Sequence, residues 1–162
     1  MFNKTVADIM SRSVVTLKCN IDIYAAVRTL LKHKISGAPV VGEDKKLVGV
    51  LSEKDCLKVL VGSALDGLPE GRVSDYMTEQ VETISPSSSI YEVVHRFISR
   101  SYRRLPVVDD SGRLVGLVSR RDALAAIESI RDNSFLYGTK DQHPPDGSGV
   151  DSAMRIARGK KD

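Results

Sequence analysis

The feature that most constrains this chain is an internal repeat. Displacing the sequence by 67 residues sets residues 6–60 on residues 73–127 without a gap, and 17 of the 55 aligned pairs are identical. Unrelated sequences of ordinary composition would share about three or four. Two such units are too few for a solenoid, and each alone would struggle to bury a core. We therefore expect two halves packed face to face about a pseudo-twofold axis, with one cleft beside each repeat.

Each unit has the same predicted order of elements. Short extended segments at 14–17 and 81–84 precede a helix with an apolar stripe. The stripe residues stand at i, i+4, i+7 and i+8: Ile23, Val27, Leu30 and Leu31, then Ile90, Val94, Phe97 and Ile98. We expect these residues to be buried, and Ser89 with Glu92 to form a capping box. A β-hairpin follows, and a second helix begins at Ser52 or Ser119. The order β-α-β-β-α, twice, predicts the α/β class.

The repeat also predicts the domain boundaries. Residues 1–62 form the first unit, 63–72 a linker with Gly67, Pro69 and Gly71, and 73–131 the second unit. Residues 132–162 form a C-terminal tail, in which the segment rich in Gly, Pro and Asp at 138–149 reads as mobile. Residues 151–158 have the length for one or two helical turns.

Composition excludes several classes of protein. The 24 basic and 21 acidic residues give a net charge of +3, which is too balanced to indicate a nucleic-acid protein. No targeting segment and no apolar run long enough to span a bilayer occurs. Cys19 and Cys56 lack the spacing of metal ligands, which favours a reducing, cytoplasmic location. No arrangement of nucleophile, base or metal ligands indicates an enzyme.

Three segments recur in fixed order in both copies. They are Val6–Met10 with Val14–Leu17, Ser36–Val41 and Gly49–Asp55, and in the second copy Val73–Met77 with Val81–Ile84, Arg103–Val108 and Gly116–Asp122. In this order they resemble the cystathionine-β-synthase (CBS) domain, and the pair resembles the tandem Bateman module. The resemblance covers residues 6–127 and implies two CBS units that bind an adenosyl ligand between them.

The pattern Ser-x-x-Asp follows a strand and opens a helix in both copies, at Ser52 to Asp55 and at Ser119 to Asp122. A helix N-terminus exposes free N–H groups that suit a phosphate, and a carboxylate can accept bonds from a ribose diol. The resemblance implies those roles: the aspartate on ribose, the serine on ribose or phosphate. The alternative is a plain capping box, since Ser-x-x-Asp is close to that pattern.

The adenine pocket comes from the resemblance. The first extended segments, with Thr16 and Thr83, would line it, and Ala38-Pro39 and Leu105-Pro106 would form the opposite wall. Proline leaves a neighbouring carbonyl free of ladder pairing, and that carbonyl can accept from an adenine amino group. The alternative is that the prolines only begin an edge strand.

Basic residues distinguish the copies. Residues 73–127 hold seven Arg and no Lys, whereas residues 6–60 hold two Arg and seven Lys. The candidates for phosphate binding are Lys54, Arg103, Arg104, Arg120 and Arg121. Because arginine presents a rigid fork that matches phosphate oxygens, we predict unequal clefts, the arginine-rich one preferring a phosphorylated ligand. The alternative is a solvated basic face.

These observations predict a non-catalytic regulatory sensor that binds AMP, ADP or ATP, forms a homodimer and acts on an unidentified effector protein in trans. One rival is a module for another adenosyl ligand, such as S-adenosylmethionine. A second is a ligand-free dimerisation or protein-interaction scaffold. A third is a nucleic-acid binder that uses the arginines, which the near-neutral charge disfavours.

Overall fold

The computed structural model describes residues 3–62, 67 and 70–137 of the chain, which has the expected α/β fold. The first half contains α1 (Val6–Ile9), β1 (Leu17–Lys18), α2 (Ile23–His33), β2 (Gly37–Val41), β3 (Leu47–Ser52) and α3 (Glu53–Gly62). The second half contains α4 (Val73–Tyr76), α5 (Ile90–Ser99), β4 (Arg104–Val108), β5 (Leu114–Ser119) and α6 (Arg120–Tyr137). Helix α6 continues past residue 131, where the repeat ended in the sequence. The predicted tail segments at 138–149 and 151–158 lie outside the described residues.

The predicted hairpins form in both halves with the same register. Strand β2 is antiparallel to β3, with Gly37 opposite Ser52, and β4 is antiparallel to β5, with Arg104 opposite Ser119. The first extended segment is shorter than predicted: β1 pairs in parallel with β2 over two residues, and its counterpart makes a single bridge between Ile84 and Val107. The short helices α1 and α4 were not predicted.

The apolar stripes of α2 and α5 are buried along a narrower line than predicted. Ile23, Ala26 and Leu30 are buried in α2, but Leu31 is 73% exposed. The same holds in α5, where Ile98 is 81% exposed. At about 100° per residue, position i+8 lies ~80° from position i and so falls at the margin of the stripe. The prediction of burial was therefore wrong for Leu31 and Ile98, and these side chains form part of an exposed apolar face.

Helix α2 and helix α5 begin at side-chain caps. The Asp22 carboxylate accepts from the backbone N–H groups of Tyr24 and Ala25. Ser89 Oγ accepts from the Glu92 N–H at 3.2 Å, which is the serine half of the predicted capping box, while the Glu92 side chain bonds Arg96 and Ser88 instead of returning to Ser89.

The two halves exchange their first segments. Val6 and Met10 from α1 pack in the core of the second half with residues such as Val93 and Val107. Val73 from α4 packs in the core of the first half with Leu17 and its neighbours. Neither core is therefore complete without a segment from the other half, which ties the two units into one structure.

The exchanged segments run close to two glycines that both copies share. The Ser11 and Leu117 backbones bond each other in both directions at 2.9 Å, and Val50 and Thr78 form the equivalent bridge. A Cβ added at Gly116 would lie 2.9 Å from the Ser11 carbonyl oxygen, and one at Gly49 would lie 2.9 Å from that of Thr78. The shared glycine is thus required where the two backbones meet.

Candidate functional site

The exchange creates a cavity beside the N-terminus of α3, here called the first cleft. It has a volume of about 430 Å³ and lies between the Ser52–Asp55 turn and the segment that follows α4. Its lining residues are Val50, Ser52, Lys54, Asp55, Lys58, Thr78, Gln80, Val81, Glu82, Tyr102, Arg104 and Pro106. The segment at 78–82 reaches this position only because α4 belongs to the core of the first half.

A second cavity, here called the axial cavity, lies between the two hairpins. Its volume is about 330 Å³. It is lined by Ser36, Gly37, Ala38, Pro39, Val50, Ser52, Arg103, Arg104, Pro106 and Leu117. The axial cavity and the first cleft share four lining residues, so together they form a larger depression that includes side chains from both repeats.

The two Ser-x-x-Asp turns form reciprocal capping boxes. Asp55 Oδ2 accepts from the Ser52 N–H at 2.9 Å and from the Ser52 hydroxyl at 2.7 Å, while the Asp55 N–H donates back to Ser52 Oγ at 3.2 Å. Asp122 and Ser119 make the same bonds at 2.7, 2.6 and 3.2 Å. The capping alternative is therefore present in both copies. The hydroxyl group of each serine donates its hydrogen bond to the aspartate, so it cannot also donate one to a phosphate in this arrangement.

The capping box leaves the other carboxylate oxygen of each aspartate for a ligand. Asp55 is only 6% exposed and is the one buried charged residue of the described chain. Its Oδ1 lies 3.3 Å from Lys58 Nζ, whose side chain is 64% exposed. Oδ1 thus retains capacity to accept from a hydroxyl pair, and Lys58 is the flexible partner that a ligand would displace.

Three cationic side chains, Lys54, Lys58 and Arg104, line the first cleft, and Arg103 lines the axial cavity beside it. Arg103 and Arg104 of the second repeat therefore lie with Ser52 and Asp55 of the first. This arrangement arises because residues of both hairpins line the axial cavity.

Glu82 brings a negative charge to the wall of the first cleft, but it is paired. Its carboxylate accepts from Arg96 Nη1 at 3.2 Å, and the same nitrogen donates to the Thr83 carbonyl at 3.0 Å. Arg96 Nη2 also donates to Glu92 at 2.9 Å. The hydrogen bond from the Ser88 side chain, together with Arg96, lowers the pKa of Glu92. Arg96 thus pairs with two carboxylates and links the cleft wall to α5.

Several predicted residues lie elsewhere. Thr16 and Thr83 line two smaller depressions, of about 210 and 220 Å³. Thr78, Gln80 and Glu82 line the first cleft, whereas Glu79 and Thr83 line the smaller depression on the other side of this extended segment. The same alternation places Leu105, 1% exposed, in the core of the second half instead of the cleft wall. Arg120 lines an apolar groove between α5 and α6, and Arg121 is exposed near the start of α6.

Of the remaining predicted residues, Ser52, Lys54, Asp55, Arg103 and Arg104 line the first cleft or the axial cavity, as described above, whereas Ser119 and Asp122 line neither. Ala38 and Pro39 line the axial cavity, and Pro106 lines both. Of the lining residues that the sequence analysis did not single out, Lys58 could have been found from the sequence, because it lies one helical turn after Asp55. Gln80, Glu82 and Tyr102 could not, because their positions depend on the exchange of segments.

The two cysteines lie in the first half and are partly buried. Burial, with a further contribution from the Asp55 charge, raises the pKa of the Cys56 thiol, so it is protonated at neutral pH. Cys19 and Cys56 are both unpaired. Within the described ranges, no group of His, Cys, Asp and Glu side chains is placed to hold a metal ion, and no helix is long and apolar enough to cross a membrane.

The fold and the duplicated turns define a pair of CBS domains. The chain matches the CBS domain family twice, at residues 6–62 and 73–129, and it belongs to that family. A curated relative, the uncharacterized protein MJ1225 of Methanocaldococcus jannaschii, is 35% identical over 128 residues. That match covers 78% of this chain and 44% of MJ1225, so the chain spans less than half of that relative.

Solved CBS pairs have the same fold and have been crystallised with adenosyl ligands. CBSX2 of Arabidopsis thaliana, in complex with AMP, is 28% identical with a TM-score of 0.69, covering 79% of this chain and 98% of its own. The CBS pair of MJ0100, in complex with 5′-methylthioadenosine and S-adenosyl-L-methionine, is 30% identical with a TM-score of 0.64, covering 78% and 98%. The cytosolic domain of the Mg²⁺ channel MgtE, in complex with ATP, is 26% identical with a TM-score of 0.65, covering 76% and 48%.

Proposed function

We propose that this chain is a non-catalytic regulatory module that binds an adenine nucleotide, AMP, ADP or ATP, in the first cleft. One observation carries the proposal: the cleft combines a buried carboxylate with three cationic side chains in a volume of about 430 Å³. That volume lies within the usual range for small-molecule sites. A ribose diol and a phosphate are the two groups that such a combination recognises.

The residues suggest a pose for the nucleotide. Asp55 Oδ1 accepts from the ribose hydroxyls, and the phosphate lies near Lys54, Lys58 and Arg104. The N-terminus of α3 adds a partial positive charge on the same side. Val50, Val81 and Pro106 provide apolar surface for the adenine ring. The complexes of CBSX2 with AMP and of MgtE with ATP support this class of ligand.

The second candidate ligand is S-adenosylmethionine or its thioether product, supported by the MJ0100 complex. Its sulfonium is positively charged and it has no phosphate. Three cations in the first cleft would repel it, so we favour the nucleotide.

The regulatory part of the proposal rests on the exposed apolar face of α5 and α6. Ile98, Leu124 and Ile127 are 81%, 65% and 47% exposed, beside a groove of about 360 Å³. We propose that this face is covered in a cytoplasmic homodimer that acts on an effector protein in trans. The ligand shifts that assembly only by its difference in affinity for the two states.

Isothermal titration calorimetry of the purified chain with AMP, ADP, ATP and S-adenosylmethionine tests the proposal. We expect a nucleotide to bind at sub-millimolar concentration and to outcompete S-adenosylmethionine. Absence of heat with every nucleotide in that range would contradict the proposal and favour the scaffold. Sedimentation of the same samples, with Ile98→Asp as the variant, tests the homodimer, which that change should dissociate.

A further inference from the structure

The 67-residue displacement gives each lining residue of the first cleft a counterpart in the other repeat, and most of its charged residues are replaced there. Lys58 of the first cleft corresponds to Ala125, and Arg104 corresponds to Gly37. Only Lys54 has a cationic counterpart, Arg121. The second cleft is the pseudo-symmetric position around Asp122, which therefore has one cation where the first cleft has three.

The acidic residues do not offset this difference. Glu82 corresponds to Val15, and its partner Arg96 corresponds to Thr29. Since Arg96 neutralises Glu82 at 3.2 Å, Asp55 is the one lining carboxylate of the first cleft without an arginine partner. The first cleft thus has an excess of positive charge, whereas Arg121 and Asp122 balance each other in the second. The axial cavity increases the asymmetry, because Arg103 corresponds to Ser36.

Asp55 and Asp122 also differ in whether their Oδ1 atom already has a partner. Asp55 Oδ1 is 3.3 Å from Lys58 Nζ, so a ribose that bonds this oxygen has to displace the ammonium group. A phosphate on the same ligand gives Lys58 a new partner, whereas an uncharged nucleoside gives it none. At Asp122, Ala125 offers no ammonium, and within the described ranges Oδ1 has no hydrogen-bond partner. The second cleft therefore has no such requirement for a phosphate.

Resting on the proposed function, we infer that the chain binds one phosphorylated nucleotide, in the first cleft, and that Lys58 and Arg104 make binding there depend on the phosphate. The second cleft does not discriminate between a nucleotide and its nucleoside.

Calorimetry of the full chain with AMP and with adenosine tests this inference. We expect one tight AMP site per chain and adenosine at least about tenfold weaker at that site. The double variant Lys58→Ala/Arg104→Ala should weaken AMP binding about twentyfold, whereas adenosine binding should not weaken, because no ammonium group then has to leave Asp55 Oδ1. Both side chains are exposed, so the variant is expected to fold, which circular dichroism verifies. Lys32→Ala removes one positive charge from an exposed site on α2, away from the first cleft, and should leave both titrations unchanged.

A reciprocal variant supplies the missing cation. Ala125 is exposed, and Ala125→Lys places an ammonium where Lys58 stands in the first copy. We expect it to strengthen AMP binding at the second cleft by about fivefold without changing the first. Two equal AMP sites in the wild type, or wild-type AMP affinity in the double variant, would overturn the inference and leave the proposed function standing. A wild-type chain that binds no adenine nucleotide would overturn both.

Discussion

The two halves of this molecule share a backbone and differ in the chemistry of their clefts. Val6 and Val73 are fully buried in exchanged positions, and Gly49 and Gly116 make the same close approach to the other half. Among the residues that line the first cleft, Ser52 and Asp55 recur in the second copy, but Lys58 and Arg104 correspond to Ala125 and Gly37. The copies therefore keep identical residues where the exchanged segments meet the other half and at the Ser-x-x-Asp turns, whereas the basic residues beside those turns have diverged.

The largest expected effect concerns the exchange of segments. Val6→Ala removes two methyl groups from a fully buried site in the core of the second half. We expect a loss of about 2–3 kcal/mol in the free energy of unfolding, from lost burial and a residual cavity. Urea denaturation measures the loss, and hydrogen exchange should locate the weakened protection in β4 and β5.

Val73→Ala is the matched variant. It should cost a similar free energy but weaken protection in β2 and β3, since Val73 packs in the core of the first half. If each variant instead loosens the half that contains it in sequence, the exchange is wrong.

Much of this fold follows from local pattern, and the exchange does not. The hairpins, and the helices that begin next to Ser52 and Ser119, can be predicted from short runs of apolar residues, turn residues and caps. The close approach at Gly116 depends on a contact between residues more than 100 positions apart, which no local period encodes. The same distinction applies to the residues of the candidate site. The sequence singles out Asp55 and Arg104, while Gln80 and Tyr102 are found only from the three-dimensional contacts.

A smaller effect concerns Arg96, which has no ionic counterpart in the first half. Arg96→Met removes the bonds to Glu82, Glu92 and the Thr83 carbonyl while keeping a long apolar stem. The Arg96 side chain is 31% exposed, so solvent screens the pairs and we expect a loss of about 1 kcal/mol. Thermal and urea denaturation measure it.

The matched variant in the first half is Thr29→Ala. The Thr29 hydroxyl donates only to the Ala25 carbonyl of its own helix, so its removal should change stability by less than about 0.5 kcal/mol. Equal losses from the two variants would mean that the ionic link adds nothing to the second half.

The smallest effect separates the two hairpin turns through their response to acid. In the second turn, Asp109 Oδ1 accepts from the Ser111 hydroxyl at 2.7 Å, the Ser111 N–H at 2.9 Å and the Arg113 N–H at 3.0 Å. Those bonds, the Ser111 hydroxyl first, lower the pKa of Asp109 from its ordinary value of 3.8. The first turn, Glu43–Lys45, has no comparable side-chain bonds among the described contacts.

A carboxyl group whose pKa is lower in the folded state stabilises the fold above its unfolded pKa, and this contribution is lost as the pH falls through the folded pKa. Asp109→Asn keeps an acceptor oxygen but cannot titrate, so its stability should fall less steeply below about pH 4 than that of the wild type. Urea midpoints at about pH 7, 4 and 3 measure the slopes. Ser111→Ala removes the largest cause of the shift and should give an intermediate slope, because the two backbone donors remain. Parallel profiles for all three proteins would show that the turn makes no contribution to acid sensitivity.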